Sequence, residues 1–118
     1  METSINNKCK AFTSLEQSRK LAKILPLESA DMVYTITNGY HTPWIRIEKI
    51  DELDKDDFLC WSLSALLSVL PDYTLQTNTD GTVFVVCDSK KPMISDAYDN
   101  SVDACYNLIL KLHERKIL

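Results

Sequence analysis

The chain of 118 residues contains only two glycines, Gly39 and Gly81. A phosphate cradle needs several, because backbone N–H groups approach a phosphate closely only where no Cβ intervenes. P-loop and dinucleotide-type nucleotide binding are therefore excluded. Histidine is equally sparse: His41 and His113 stand far apart, and no CxxC, HxxxH or HxxEH spacing occurs, so neither a metal centre nor another cofactor is expected. No segment approaches the roughly 18–20 uninterrupted apolar residues of a membrane-spanning helix. No apolar run follows the first charges of Met1 to Phe12, so a secretory leader is not expected and the expected location is cytoplasmic. The four cysteines, Cys9, Cys60, Cys87 and Cys105, have irregular spacings that suggest reduced thiols. Three of them sit among apolar residues and are expected to pack as small hydrophobes.

Basic charge is also in short supply. The formal net charge is −4, and the segment Asp51–Asp57 holds five acids and one lysine, which together equal that whole excess. Counterion release at a nucleic-acid backbone needs clustered Lys and Arg. The candidate cluster is Lys8, Lys10, Arg19, Lys20 and Lys23, and the last three suit the C-terminal turns of a first helix, so nucleic acid is the least favoured partner. The acidic run also fails as a calcium loop: Asp56 stands where the turn needs glycine, and Ser62 where a bidentate glutamate belongs. It reads as a linker whose Asp57 caps a following helix.

The residues that are present predict a single α+β domain over residues 13–118, preceded by a flexible segment over 1–12. Thr13 to Glu16 has capping-box spacing; Leu15, Leu21, Ala22, Ile24 and Leu25 then form an apolar face up to Pro26. Asn38-Gly39 predicts a two-residue hairpin turn, which pairs Thr37 with Tyr40, Tyr34 with Pro43 and Met32 with Ile45. That register gathers Met32, Tyr34, Ile36, Ile45 and Ile47 on one face. A second helix is expected from Phe58 or Trp61 to Leu70, with Leu63, Leu66, Leu67 and Leu70 as its stripe and Pro71 ending it.

A second hairpin turns at Asp80-Gly81 and pairs Thr77 with Phe84 and Leu75 with Val86. Its return strand is apolar on both faces and reads as central. Lys90 to Ile94 suggests a short edge strand, where Pro92 is tolerated. A third helix runs from Asn100 or Ser101 to about Arg115. The expected order is αββαββα, with a mostly antiparallel four- to five-stranded sheet packed against three helices. The two helix–hairpin units also raise internal duplication as a possibility.

The strongest recognition candidates are Tyr40, His41 and Trp44, since aromatic side chains beside a rigid turn give contact area at low entropic cost and suit a protein partner. The alternative reading is covering of the sheet by Trp44. A hydrolase or transferase would use His41 with Cys60 or Ser62, although Cys60 to Ser64 has no nucleophile-elbow form. A free strand edge and the apolar ending Ile117-Leu118 would suit a homodimer or would dock on the core.

The stretch Trp61 to Pro71, supported by Leu21 to Met32, by Val102-Asp103-Ala104-Cys105 and by Leu112-His113-Glu114, resembles small uncharacterised proteins of gut Bacteroidetes and their prophages or mobile elements. The likeness lies in helix boundaries and core positions and spans most of the chain. It implies a bacterial or phage cytoplasmic setting and carries over no catalytic residue. The expected function is that of a small non-enzymatic interaction or regulatory protein.

Overall fold

The computed structural model describes residues 10–88 and 92–118. Helices α1 (Leu15–Leu21), α2 (Leu63–Val69) and α3 (Ser101–Glu114) accompany strands β1 (Met32–Thr37), β2 (Tyr40–Ile45), β3 (Phe58–Cys60), β4 (Tyr73–Thr77), β5 (Val83–Cys87) and β6 (Met93–Ile94). The α+β class holds. The expected single sheet of four or five strands does not: six strands form two antiparallel three-stranded sheets, ordered β2-β1-β3 and β4-β5-β6. The first sheet centres on the leading strand of its hairpin and the second on the returning strand. The two helix–hairpin units are thus wired differently, against internal duplication.

The first hairpin has the register expected from Asn38-Gly39, with Thr37 opposite Tyr40 and Met32 opposite Ile45. Both turn residues take positive φ, 52° and 83°, as a two-residue type I′ turn requires. The second hairpin differs from expectation by one residue: Thr77 pairs with Val83 and Leu75 with Val85. The Asn78 N–H donates to the Thr82 carbonyl, and the Gly81 N–H to the Asn78 carbonyl, with Gly81 at φ 88°. Residues 79–81 therefore form a three-residue loop closed by a left-handed glycine, and the extra residue shifts the register. The Asp80 carboxylate fixes this loop by accepting from the Thr82 N–H and hydroxyl.

Two helix starts are also corrected. Ser14, not Thr13, caps α1, accepting from the Gln17 N–H while the Gln17 amide oxygen accepts from the Ser14 N–H. Residues 58–60, expected as the start of the second helix, form β3 on the free side of β1, and Ser62 caps α2. Asp57 caps no helix; its carboxylate accepts from the Asp54 N–H. The edge strand β6 is found at Met93–Ile94, while Lys90 and Lys91 lie outside the described residues. Helix α3 begins as expected after the Asn100 cap.

The core lies between α3, α2 and the β5 face carrying Val85 and Cys87, with Val102, Cys105, Leu108, Ile109 and Leu112 fully buried. Leu118 packs against this cluster. The first sheet is joined to it chiefly at one point. Thr13 is fully buried: its backbone N–H donates to the Trp61 carbonyl, its hydroxyl accepts from the Trp61 N–H and pairs with Ser18 Oγ at 2.7 Å, and its carbonyl accepts from Tyr34 Oη at 2.7 Å. Lys10 to Phe12, expected to be flexible, is held too: the Lys10 ammonium lies 2.8 Å from Asp103, the Ala11 carbonyl accepts from the Leu63 N–H, and Phe12 bridges to Ser62. The rest of that segment lies outside the described residues.

Thr13→Val keeps the volume but leaves the Trp61 N–H and the Ser18 hydroxyl without their partner. It is expected to cost about 2–4 kcal/mol, against about 1 kcal/mol for Thr13→Ser, read as midpoint shifts in urea unfolding at unchanged slope. Equal losses for the two variants would contradict this bonding scheme. Burial alone would raise the Asp103 carboxyl, but donors from Lys10, Gln17 and Asn100 outweigh it and hold the group below the usual carboxylate range. The unfolded carboxyl, titrating near about 3.9, takes up its proton first, so this stability is complete above that pH and is lost as pH falls through the folded value. Asp103→Asn is expected to lower stability at neutral pH and to flatten its acid limb.

Candidate functional site

The sheet alternation divides the first hairpin into two faces. Tyr40, Thr42 and Trp44 lie with Val33 and Thr35 on one; His41, Pro43 and Ile45 lie with Met32, Tyr34 and Ile36 on the other. Helix α1 and the segment before it cover the second face only near β3. Phe12 meets Tyr34 edge-on, and the Arg19 guanidinium stands 4.7 Å over the Phe58 ring. A helix of seven residues reaches only about 10 Å, and β2 lies beyond it. The apolar face expected to be core is consequently buried at Tyr34 but open at Ile36, Ile45 (76 % exposed) and Ile47.

The first face is covered in part by the return from β2 to β3, which must cross β1 because β2 and β3 flank it on opposite sides. Arg46 anchors the start of this crossing. Its guanidinium donates to the carbonyls of Ala30 and Glu48, and its N–H to the Asp31 carbonyl. The crossing segment and Thr35 then line a concavity of about 640 Å³ bearing the carboxylates of Glu48, Asp54, Asp56 and Asp57, with Lys55 as its basic group. Beside it Tyr40 is 76 % and Trp44 54 % exposed, so Trp44 is not used to cover the sheet. His41 is half-buried, its ring 5.3 Å from that of Phe58.

The enzymatic constellation is not brought together. Cys60 aligns with Met32 and His41 with Ile36, which separates them by four residues along the sheet and two strands across it, about 16 Å. Cys60 Sγ contacts the Thr13 hydroxyl and carbonyl, and burial pushes its pKa up despite neighbouring hydrogen bonds, the reverse of an activated thiolate. Ser62 is bonded to the Asp31 carboxylate through both its N–H and its hydroxyl, and caps α2 through the Ala65 N–H. The basic residues of the N-terminal region also diverge: Lys10 pairs with Asp103 while Arg19 covers Phe58, and Lys8 lies outside the described residues. Among the described residues no three His, Cys, Asp or Glu side chains converge as metal ligands, and no helix is long and apolar enough to cross a membrane.

No family model, curated protein or solved structure matches the chain. The site is therefore defined by its geometry, to which Ile36 and Ile45 are additions. The sequence assigned them to the core, and no signal in it tells how far α1 reaches across the sheet.

Cys60, Cys87 and Cys105 are all buried and unpaired, and desolvation raises each thiol, Cys105 to about 12. Iodoacetamide labelling of the native protein, read by peptide mass spectrometry, is expected to leave all three unmodified on a timescale that fully modifies them in urea. Fast native labelling of Cys60 at neutral pH would instead restore it as a nucleophile.

Proposed function

We propose that the protein is a small non-enzymatic binding module, an interaction or regulatory protein whose first hairpin receives another protein. The observation that carries this is the concentration of large exposed side chains, Ile36, Tyr40, Trp44 and Ile45, on one rigid hairpin beside an unpaired strand edge. Isolated exposed apolar residues need no explanation, whereas a cluster built on a fixed scaffold marks an interaction surface. Tyr and Trp supply anchors with few rotatable bonds, and the tight Asn38-Gly39 turn fixes the strands that bear them. Conversely, the buried polar groups have structural partners: among the described residues no buried side-chain nitrogen or oxygen lacks one. The resemblance to small proteins of gut Bacteroidetes and mobile elements supports a bacterial or phage cytoplasmic setting.

Immobilised wild-type protein should retain a discrete partner from a gut Bacteroidetes lysate. Trp44→Ala should weaken that retention roughly 30-fold or more, as loss of an aromatic hot spot does, with an unchanged far-UV circular dichroism spectrum. Equal retention by both proteins, or none by either, would count against the proposal.

A further inference from the structure

We infer that the free edge of β2 takes up an extended segment of a partner protein in which basic and apolar residues alternate, the basic ones on the Tyr40–Trp44 face. This rests on the binding role given to the hairpin above and adds the chemistry of its partner.

The backbone supplies the first part. In a two-residue hairpin the residues flanking the turn exchange both hydrogen bonds, and the bonded pairs then alternate. Thr37 with Tyr40, Thr35 with Thr42 and Val33 with Trp44 are thus the inward-bonded pairs of β1 and β2. The phase is confirmed one step further on, where the Arg46 N–H donates to the Asp31 carbonyl at 3.0 Å. His41, Pro43 and Ile45 therefore direct their backbone groups away from β1, toward the free edge: three carbonyls but only two N–H donors, because Pro43 has none.

This arithmetic decides against a second copy of the same edge. Two β2 strands meeting antiparallel about their midpoint would set Pro43 against Pro43 and leave both central carbonyls without a donor. A partner segment with an ordinary N–H at that position satisfies the Pro43 carbonyl.

The faces supply the second part. A strand added to β2 sends every other side chain to each side of the sheet. On one side it meets Tyr40, Thr42 and Trp44, with the carboxylates of Glu48, Asp54, Asp56 and Asp57 in the adjoining concavity. A guanidinium there can lie over an aromatic ring within the field of several carboxylates, whereas an acid is repelled. On the other side it meets His41, Pro43 and Ile45, and beyond them Arg19 over Phe58, where an aliphatic group fits and another cation does not.

The test is fluorescence anisotropy with three short labelled peptides: alternating arginine and valine, alternating threonine and valine, and alternating glutamate and valine. The arginine peptide is expected to bind at least about tenfold more tightly than the threonine peptide, with an advantage that shrinks as salt rises, and the glutamate peptide to bind most weakly. Combined Glu48→Gln, Asp54→Asn and Asp56→Asn should erase the advantage without changing threonine-peptide binding. Ile45→Pro, which removes an outward N–H that no intrachain pairing uses, should abolish binding of all three. Equal binding of the arginine and threonine peptides would overturn the basic partner and leave the hairpin a binding surface; no binding by any peptide would overturn both. Arginine-peptide binding that survives Ile45→Pro would be charge attraction alone and would also overturn the inference. So would a wild-type dimer in sedimentation that Ile45→Pro converts to monomer, which would assign the edge to a second copy.

Discussion

The buried hydroxyl and backbone of Thr13 tie together parts of the chain that otherwise have little hold on one another. Around this residue meet the segment before α1, the Ser18 side chain one turn into that helix, Tyr34 of β1, and Cys60 and Trp61 at the end of β3. Each of these groups is taken from water, so each bond counts by the cost of leaving it unmade rather than by its modest net gain. Trp61 carries the tie onward, since its fully buried ring packs in the main core while its indole N–H donates to Ser29 Oγ. A polar knot of this kind fixes geometry in a way that apolar packing alone does not.

Anchoring the first sheet at its β3 end has a structural consequence at the other. The main cluster lies around α3 and β5, and the hairpin of β1 and β2 extends from it, giving a flat molecule of 41 × 37 × 20 Å. The radius of gyration, 14.7 Å, exceeds the roughly 13.5 Å of a compact chain of this length. Helix α1 is too short to cover β2, and the acidic crossing from β2 to β3 is drawn over β1 rather than over the edge. What remains uncovered is one strand edge with aromatic side chains on one face, an isoleucine on the other and a field of carboxylates nearby. Pro43 removes one donor from that edge, which limits indiscriminate strand pairing while leaving His41 and Ile45 able to donate.

Much of this was legible in the sequence where local chemistry dictates geometry. Asn38-Gly39 specified both turn and register, and Asn100 with the apolar stripe from Val102 to Leu112 specified α3 almost to the residue. Asp80-Gly81 misled because the same dipeptide also closes a three-residue loop, and the choice depends on the Asp80 carboxylate and on Asn78, not on the pair itself. Phe58-Leu59-Cys60 could not be told from the start of a helix, since a three-residue apolar run has no period; it became a strand because β1 offered an edge. Thr13 and Ser14 were equally good caps on paper, and only the burial of Thr13 against Trp61 assigned Ser14 to that role. The candidate site divided in the same way: exposure of Tyr40 and Trp44 follows the turn, while exposure of Ile36 and Ile45 follows from the reach of α1, a tertiary fact.

The central claim is a protein knotted at Thr13 and left open along β2, and native-state amide hydrogen exchange tests both halves at once. The Thr13 and Trp61 amides should exchange only with global unfolding, and Thr42 and Trp44 should be protected by β1, while His41 and Ile45 between and beside them exchange as fast as solvent-exposed amides. Protection of His41 and Ile45 equal to that of their neighbours, or rapid exchange at Thr13 and Trp61, would contradict the account.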